Sequence, residues 1–184
     1  MLKRNAPLLR FFAILLGVFA VWFVVYDLWL LPDGRLDAWL SLRVAAASAG
    51  ILDLFGAAVV QAGRVVRLEG GVGVEVADGC NGLTTIGLFV GFVLAFPGSW
   101  KRRLWFIPLG IGIVLLANIL RVAALALVQV HWPAAFDVLH SFGISTFFYA
   151  VVFVLWVVWA RLGDELPTSK PPQPPPAALT PASS

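Results

Sequence analysis

Residues 104–130 read LWFIPLGIGIVLLANILRVAALALVQV and contain one charged side chain, Arg121. About 20 consecutive apolar residues are enough for an α-helix to cross the hydrocarbon core of a bilayer. This run is longer than that, so it predicts a transmembrane helix. The sequence is therefore that of an integral membrane protein.

Three further apolar runs predict additional transmembrane helices. They cover about Leu8 to Leu31, Leu83 to Trp100 and Phe142 to Ala160, and the second of them ends at Pro97-Gly98. The first follows a basic N-terminal segment, and no small-residue cleavage site comes directly after it. We therefore interpret it as a retained helix rather than a signal peptide.

The composition of the whole chain agrees with this class. Its 184 residues are 60% hydrophobic and 12% charged, whereas soluble domains contain about 25% charged residues. The formal net charge is +3, and the longest basic run is Lys101–Arg103. A charge this small, without a polybasic stripe, argues against a nucleic-acid partner and leaves the lipid bilayer as the expected surroundings.

The distribution of basic residues predicts the orientation. Cytoplasmic loops of membrane proteins are enriched in Lys and Arg. If the Ala-rich segment Ser41–Val60 does not cross the bilayer, three basic groups all fall on the cytoplasmic side: Lys3/Arg4/Arg10, Lys101–Arg103 and Arg161/Lys170. We therefore predict an all-α polytopic membrane protein with about four transmembrane helices and an interfacial or re-entrant helix at Ser41–Val60. Whether that segment crosses the membrane stays open.

Two segments outside the apolar runs complete the domain plan. Residues 64–76 alternate between apolar and polar on either side of Gly70-Gly71, a pattern typical of a β-hairpin. We expect this hairpin on the extracytoplasmic side, packed on the helix ends. Residues 1–166 then form one integral membrane domain, and residues 167–184 form a disordered, Pro-rich cytoplasmic tail.

The single cysteine of the chain, Cys80, lies in the turn Asp78-Gly79-Cys80-Asn81-Gly82 just before an apolar run. Unpaired N–H groups and the dipole at a helix N-terminus favour the thiolate. Asp78 would oppose that effect or cap the helix. One cysteine allows neither an intramolecular disulfide nor a paired-Cys metal site, and no nucleotide or phosphate fingerprint is present, so we predict neither metal nor cofactor.

Two further polar residues are predicted at the same membrane depth. Arg121 follows Arg103 by 18 residues, about 27 Å along a helix, which places it near the outer interface with Asn118 on the same face. His140 immediately precedes the last apolar run, and Asp137 could orient its ring. The alternatives are an arginine that reaches outer headgroups and a histidine that merely hydrogen-bonds at the interface; His131 fits the second description better.

The ordered segments Val74-Glu-Val-Ala-Asp-Gly-Cys80-Asn-Gly-Leu, Asn118-Ile-Leu-Arg121-Val and His140-Ser-Phe-Gly together resemble the exosortase/archaeosortase family. The resemblance implies a prokaryotic membrane-embedded cysteine peptidase or transpeptidase of the cell membrane. Its substrates would be exported, membrane-anchored proteins with a C-terminal sorting signal.

The same resemblance implies roles for individual residues. Cys80 would be the nucleophile, Arg121 the oxyanion-stabilising cation and His140 the proton-transfer group, all on the extracytoplasmic side. We add Asn81, Asn118 and Asp137 as supporting residues. Many family members have Ser where this chain has Asn81, and many have more transmembrane helices.

Other functions stay open on the residues alone. A non-catalytic membrane scaffold would leave the thiol inert, a transporter could line a polar path with Arg121 and Asp53, and a lipid acyltransferase could use the same thiol. The recognised signal, the acceptor nucleophile and the oligomeric state do not follow from the sequence.

Overall fold

The structure is a computed structural model, and it describes residues 6–162. The predicted tail at 167–184, Lys3, Arg4 and Lys170 lie outside the described residues. Within the described part the protein is mostly helical, with one small sheet between two of the helices. This agrees with the predicted class of a polytopic helical membrane protein, although the sheet makes the term all-α too narrow.

The helices follow one another in the predicted order. The bounds are α1 (Ala6–Trp22), a π-helical continuation (Phe23–Leu30), α2 (Leu31–Asp33), α3 (Arg35–Leu54), α4 (Leu83–Ala95), α5 (Trp100–His131), a 3-10 turn (Pro133–Ala135), α6 (Phe136–Val138), a π-helical turn (Leu139–Gly143) and α7 (Ile144–Leu162). Pro133–Leu162 therefore forms one nearly continuous helical stretch.

Three of these helical stretches are long and apolar enough to cross a membrane: Leu8–Asp33, Trp100–His131 and Pro133–Leu162. The predicted fourth helix is shorter than its apolar run, because α4 has 13 residues, about 20 Å at 1.5 Å per residue. It ends at Ala95, where Phe96 becomes extended because the residue before a proline disfavours the helical conformation. The predicted end of this helix at Pro97-Gly98 is therefore confirmed to within two residues, and Trp100, the last residue of the apolar run, begins α5.

Helix α4 nevertheless runs antiparallel to α1 and α5. The rings of Phe92 and Phe96 contact Phe11 near the start of α1, whereas Trp22 at the end of α1 lies against Gly87. The first residues of α5 lie beside the last residues of α4. The chain thus passes back and forth between two ends of one helical bundle.

Basic side chains gather at one of these ends, which we call the basic end. The Arg103 guanidinium donates hydrogen bonds to the carbonyls of Val93, Leu94 and Phe96 at 3.0–3.3 Å. Arg102 donates to the carbonyl of Leu162, the last residue of α7. Residues 10, 101–103 and 161 all belong to helix ends that meet here.

The sheet lies at the opposite end, which we call the sheet end. Strands β1 (Val59–Ala62), β2 (Val65–Leu68) and β3 (Val74–Glu75) pair antiparallel in the order β1-β2-β3. The hairpin around Gly70-Gly71 is confirmed, with Val66 opposite Val74. The predicted helical segment Ser41–Val60 was wrong at both ends, because α3 covers Arg35–Leu54 and Val59 starts a strand that the sequence pattern did not indicate.

Two apolar cores hold the bundle together. At the sheet end, buried side chains of β2, of β3 and of the residue after β3 pack against α3 and α5. This core includes Val66, Val76 and Leu125. Toward the basic end, Phe89, Phe106 and Trp159 form a buried aromatic core between α4, α5 and α7. The first core fixes the sheet and the segment that follows it against α5, and that segment contains Cys80.

Candidate functional site

Cys80 lies in the short loop between β3 and α4, which we call the Cys80 loop (residues 77–82). Its backbone N–H donates to the carbonyl of Ala77 at 3.0 Å, closing a tight turn. Gly79 and Gly82 both have positive φ, 80° and 92°, a conformation that glycine adopts at little cost. Cys80 is half-buried, and Gly82 directly precedes α4.

Asn118 of α5 holds this loop through its backbone. The Asn118 amide nitrogen donates a hydrogen bond of 3.0 Å to the carbonyl oxygen of Cys80. Asn118 is fully buried, and a Cβ added to Gly82 would lie 3.4 Å from the same amide nitrogen. The loop therefore sits directly on α5, one helical turn before Arg121.

Asn81 anchors the loop to α3 through its side chain. Its amide nitrogen donates to Asp37 Oδ1 at 2.7 Å and to Ser41 Oγ at 3.3 Å, and its Oδ1 accepts a bond of 3.0 Å from the N–H of Leu83. Asn81 is 0% exposed. Its side chain thus joins α3 to the first residue of α4.

Asp37 links the same network to the first transmembrane stretch. The hydroxyl of Tyr26 donates to Asp37 Oδ1 at 3.0 Å, and Asp37, Ser41 and Asn81 are all fully buried. Sequence reasoning missed Tyr26, Asp37 and Ser41. The signal that could have found the last two is their spacing of four residues, which places both on one face of a largely apolar helix.

Asp78 has a different partner from the one expected. It forms an ion pair with Arg64, which lies between β1 and β2. In the described structure the N-cap position of α4 is Gly82, and no side chain forms a capping hydrogen bond from that position. The first N–H of α4 is instead satisfied by Asn81. The alternative in which Asp78 caps the helix was therefore wrong, and a guanidinium balances the carboxylate nearest to Cys80 in sequence.

Arg121 lies between α5 and α7. It is partly buried, and its guanidinium carbon lies 5.6 Å from the centroid of the Phe148 ring. A guanidinium over an aromatic face at this distance is attracted by the ring's negative face. Because Phe148 is buried, this contact orients Arg121 toward α7 at the sheet end.

His140 lies in the π-helical turn that leads into α7. It is exposed, and its ring stacks nearly parallel to Phe136, with centroids 5.8 Å apart and an interplanar angle of 7°. Asp137 is exposed on α6, and its predicted role in orienting the ring stays a prediction. His131 is exposed at the end of α5 with its ring 5.8 Å from that of Trp132.

A family model described as "transmembrane exosortase" matches residues 3–179, nearly the whole chain. The chain belongs to the transmembrane exosortase family. The resemblance drawn from the Cys80, Arg121 and His140 segments is thereby confirmed at the level of the family. No curated protein and no solved structure matches this exosortase.

The exosortase brings its predicted site residues together to different degrees. Cys80, Asn81 and Asn118 are joined by hydrogen bonds or by sequence within one loop and its supports. Arg121 lies one turn along α5 from Asn118. His140 lies in the turn Leu139–Gly143, which contacts α6 and α7, whereas the 3-10 turn and α6 before it contact α5. Among residues 6–162 no group of three or more His, Cys, Asp or Glu could hold a metal ion.

Proposed function

We propose that this exosortase is a membrane-embedded cysteine peptidase or transpeptidase that processes the C-terminal sorting signal of exported, membrane-anchored proteins. The observation that carries the proposal is the Cys80 loop. A half-buried thiol in a glycine-rich turn before a helix, held by two fully buried amide side chains, is a rigidly placed nucleophile. Nucleophilic catalysis requires such placement.

The first step is acylation of the thiol. The Cys80 sulfur, as thiolate, attacks the scissile carbonyl carbon; a C–S bond forms and the carbonyl electrons move to oxygen. The Arg121 guanidinium balances this oxyanion. The tetrahedral intermediate then collapses, the C–N bond breaks, and His140 donates a proton to the leaving amine. The products are a thioester on Cys80 and the released C-terminal segment.

The second step hydrolyses or transfers the acyl group and regenerates the free enzyme. An amine or water, deprotonated by His140 as it attacks, adds to the thioester carbonyl. The C–S bond breaks and the Cys80 thiolate leaves, so the proton that His140 gave in the first step is recovered in the second. An amine acceptor gives transpeptidation and water gives hydrolysis.

The two ends of the bundle support an extracytoplasmic site. Arg102 and Arg103 lie at the basic end, and the Cys80 loop lies at the other end, beside the sheet. The positive-inside rule assigns the basic end to the cytoplasm. The proposed site then faces the extracytoplasmic side of the cell membrane, where exported substrates arrive.

The test uses cells in which the only copy of this exosortase is the wild type, the Cys80→Ala variant or the Cys80→Ser variant. Mass spectrometry of membrane proteins would follow C-terminal peptides with an apolar segment and a basic end. We expect these peptides to persist in both variants and to be removed in the wild type. A hydroxylamine-sensitive acyl adduct on Cys80 would mark the thioester.

A normal pattern of C-terminal peptides in the Cys80→Ala cells, with the variant present at wild-type level in the membrane, would overturn the proposal. That result would favour a scaffold in which the thiol is inert. An adduct on Cys80 that carries a fatty acyl chain instead of a peptide would also contradict it and identify lipid acyl transfer.

A further inference from the structure

We propose that Asp37 is a positioning residue of the site: its buried carboxylate holds the Asn81 side chain and thereby sets the geometry of the Cys80 loop. This inference rests on the proposed function. Asp37 lies 43 residues before Cys80 in the sequence, and the contact that matters is the 2.7 Å bond between Asp37 Oδ1 and the Asn81 amide nitrogen.

The first argument is the burial of the carboxylate. Asp37 is 0% exposed, and no salt bridge neutralises it among residues 6–162. Burial of a carboxylate without a counter-ion is strongly unfavourable, because the charge leaves water without compensation. Asp37 lies in the first turn of α3, where the helix dipole offsets part of that cost. The protein therefore keeps a carboxylate at a buried position where an apolar side chain would destabilise the fold less.

The second argument is the orientation of the Asn81 amide. An amide can present either its oxygen or its nitrogen to a neighbour. Asp37 Oδ1 and Ser41 Oγ accept from the Asn81 nitrogen, so its oxygen is turned to the N–H of Leu83. Without the Asp37 carboxylate, only the longer bonds to Ser41 Oγ at 3.3 Å and to the backbone carbonyl of residue 37 at 3.4 Å would select this orientation. The acceptor for the first N–H of α4 would then be held less firmly.

The third argument is where the two anchors meet. Asn118 holds the carbonyl of Cys80 from α5, and Asp37 holds the next residue from α3. The peptide unit that follows the nucleophile is therefore fixed at both of its ends by separate helices. Tyr26 adds a third element, because its hydroxyl donates to the same Asp37 oxygen.

The test compares Asp37→Leu, a larger apolar side chain that removes the acceptor, with Asp37→Asn, which keeps the volume and whose amide oxygen can accept both bonds. Asp53→Leu, an exposed carboxylate on the same helix, is the matched control. The purified, membrane-reconstituted protein is assayed for kcat and KM with a C-terminal peptide that mass spectrometry finds to persist in the Cys80→Ala cells, and for the rate at which maleimide modifies Cys80.

A nucleophile displaced by about 1 Å loses on the order of 10²-fold in rate. We therefore expect Asp37→Leu to lower kcat about 10²-fold with little change in KM, and to raise the rate of Cys80 modification as the loop loosens. Asp37→Asn should restore kcat to within about threefold of the wild type, and Asp53→Leu should match the wild type in both assays.

Wild-type kcat and wild-type maleimide rate in Asp37→Leu would overturn the inference, as would equal losses in Asp37→Leu and Asp37→Asn. If Asp37→Leu does not fold, Tyr26→Phe removes one of the two hydrogen bonds that Asp37 Oδ1 accepts and should give a smaller drop in kcat. An unchanged kcat in Tyr26→Phe would also overturn the inference. Failure of the proposed function is distinguishable, because normal cleavage by Cys80→Ala refutes that function while the maleimide rates still decide the role of Asp37.

Discussion

The side-chain amide of Asn118 donates a hydrogen bond to the backbone carbonyl of Cys80, with the two atoms 3.0 Å apart. This bond connects residues 38 positions apart and ties the loop of the proposed nucleophile to the longest helix of the bundle. Asn118 Oδ1 is buried and has no hydrogen-bond partner among the described residues. A buried amide oxygen without a hydrogen-bond partner is unfavourable, so its presence fits a role of Asn118 at the site rather than in packing.

Replacing Asn118 with Leu should therefore impair the site more than the fold. The loop carbonyl loses its donor, and we expect signal cleavage to fall on the order of 10²-fold as the thiol is displaced. Gln129→Leu is the control, because Gln129 lies on the same helix but bonds to the backbone of Gly73 instead. Cleavage rates of both variants, measured at equal membrane levels, check this; equal losses would contradict it.

Substitutions of His140 and His131 should have different effects on kcat. General acid–base groups contribute about 10²–10⁴-fold, so His140→Gln should lower kcat by a factor in that range while Cys80 keeps its maleimide reactivity. His131→Gln, which changes an exposed ring beside Trp132, should leave kcat unchanged. The assignment of the proton-transfer group would be refuted by the reverse pattern.

Gly110 should be sensitive to any added side chain. A Cβ at this position would lie 2.0 Å from the ring of Phe89, which is fully buried, so Gly110→Ala should lower stability by about 1–3 kcal/mol through overpacking. At Gly112 a Cβ meets no atom within 4 Å in the described part of the chain. Thermal unfolding in detergent should show a lower midpoint for Gly110→Ala than for Gly112→Ala, and equal midpoints would contradict this packing.

The two ends of the bundle should face opposite sides of the membrane. In intact cells, a membrane-impermeant maleimide should modify Cys80 of the wild type. A Cys80→Ala chain with the added change Ser99→Cys, which places a thiol at the exposed start of α5, should react only after the membrane is opened. Labelling of both thiols from the same side would disprove the orientation.

Local patterns in the sequence predicted most of the helices. The run 104–130 lies within α5, because a long apolar run has few other ways to satisfy its backbone in a membrane. Residues 64–76 contain β2 and β3 around Gly70-Gly71, since alternation and a glycine turn act over neighbouring residues. Cys80 was placed correctly in a turn before a helix for the same reason.

The parts that were missed depend on contacts between distant residues. Strand β1 forms by pairing with β2, and its own residues, Val59–Ala62, carry no alternation that separates them from the end of a helix. Asp37 lies before the predicted helical segment Ser41–Val60 and had no predicted role; its importance comes from Asn81, 44 residues away. Neither pairing can be recognised by reading a single segment of sequence.

The bonds from Arg103 to the last carbonyls of α4 have a consequence for biogenesis. The 13 residues of α4 form too short an apolar helix to partition stably into lipid alone, since a spanning helix needs about 20. Its unpaired C-terminal carbonyls acquire donors only when the start of α5 arrives beside them. We therefore expect the insertion machinery to release α4 and α5 into the bilayer together, as a helical hairpin, after the segment carrying Cys80 has already been translocated.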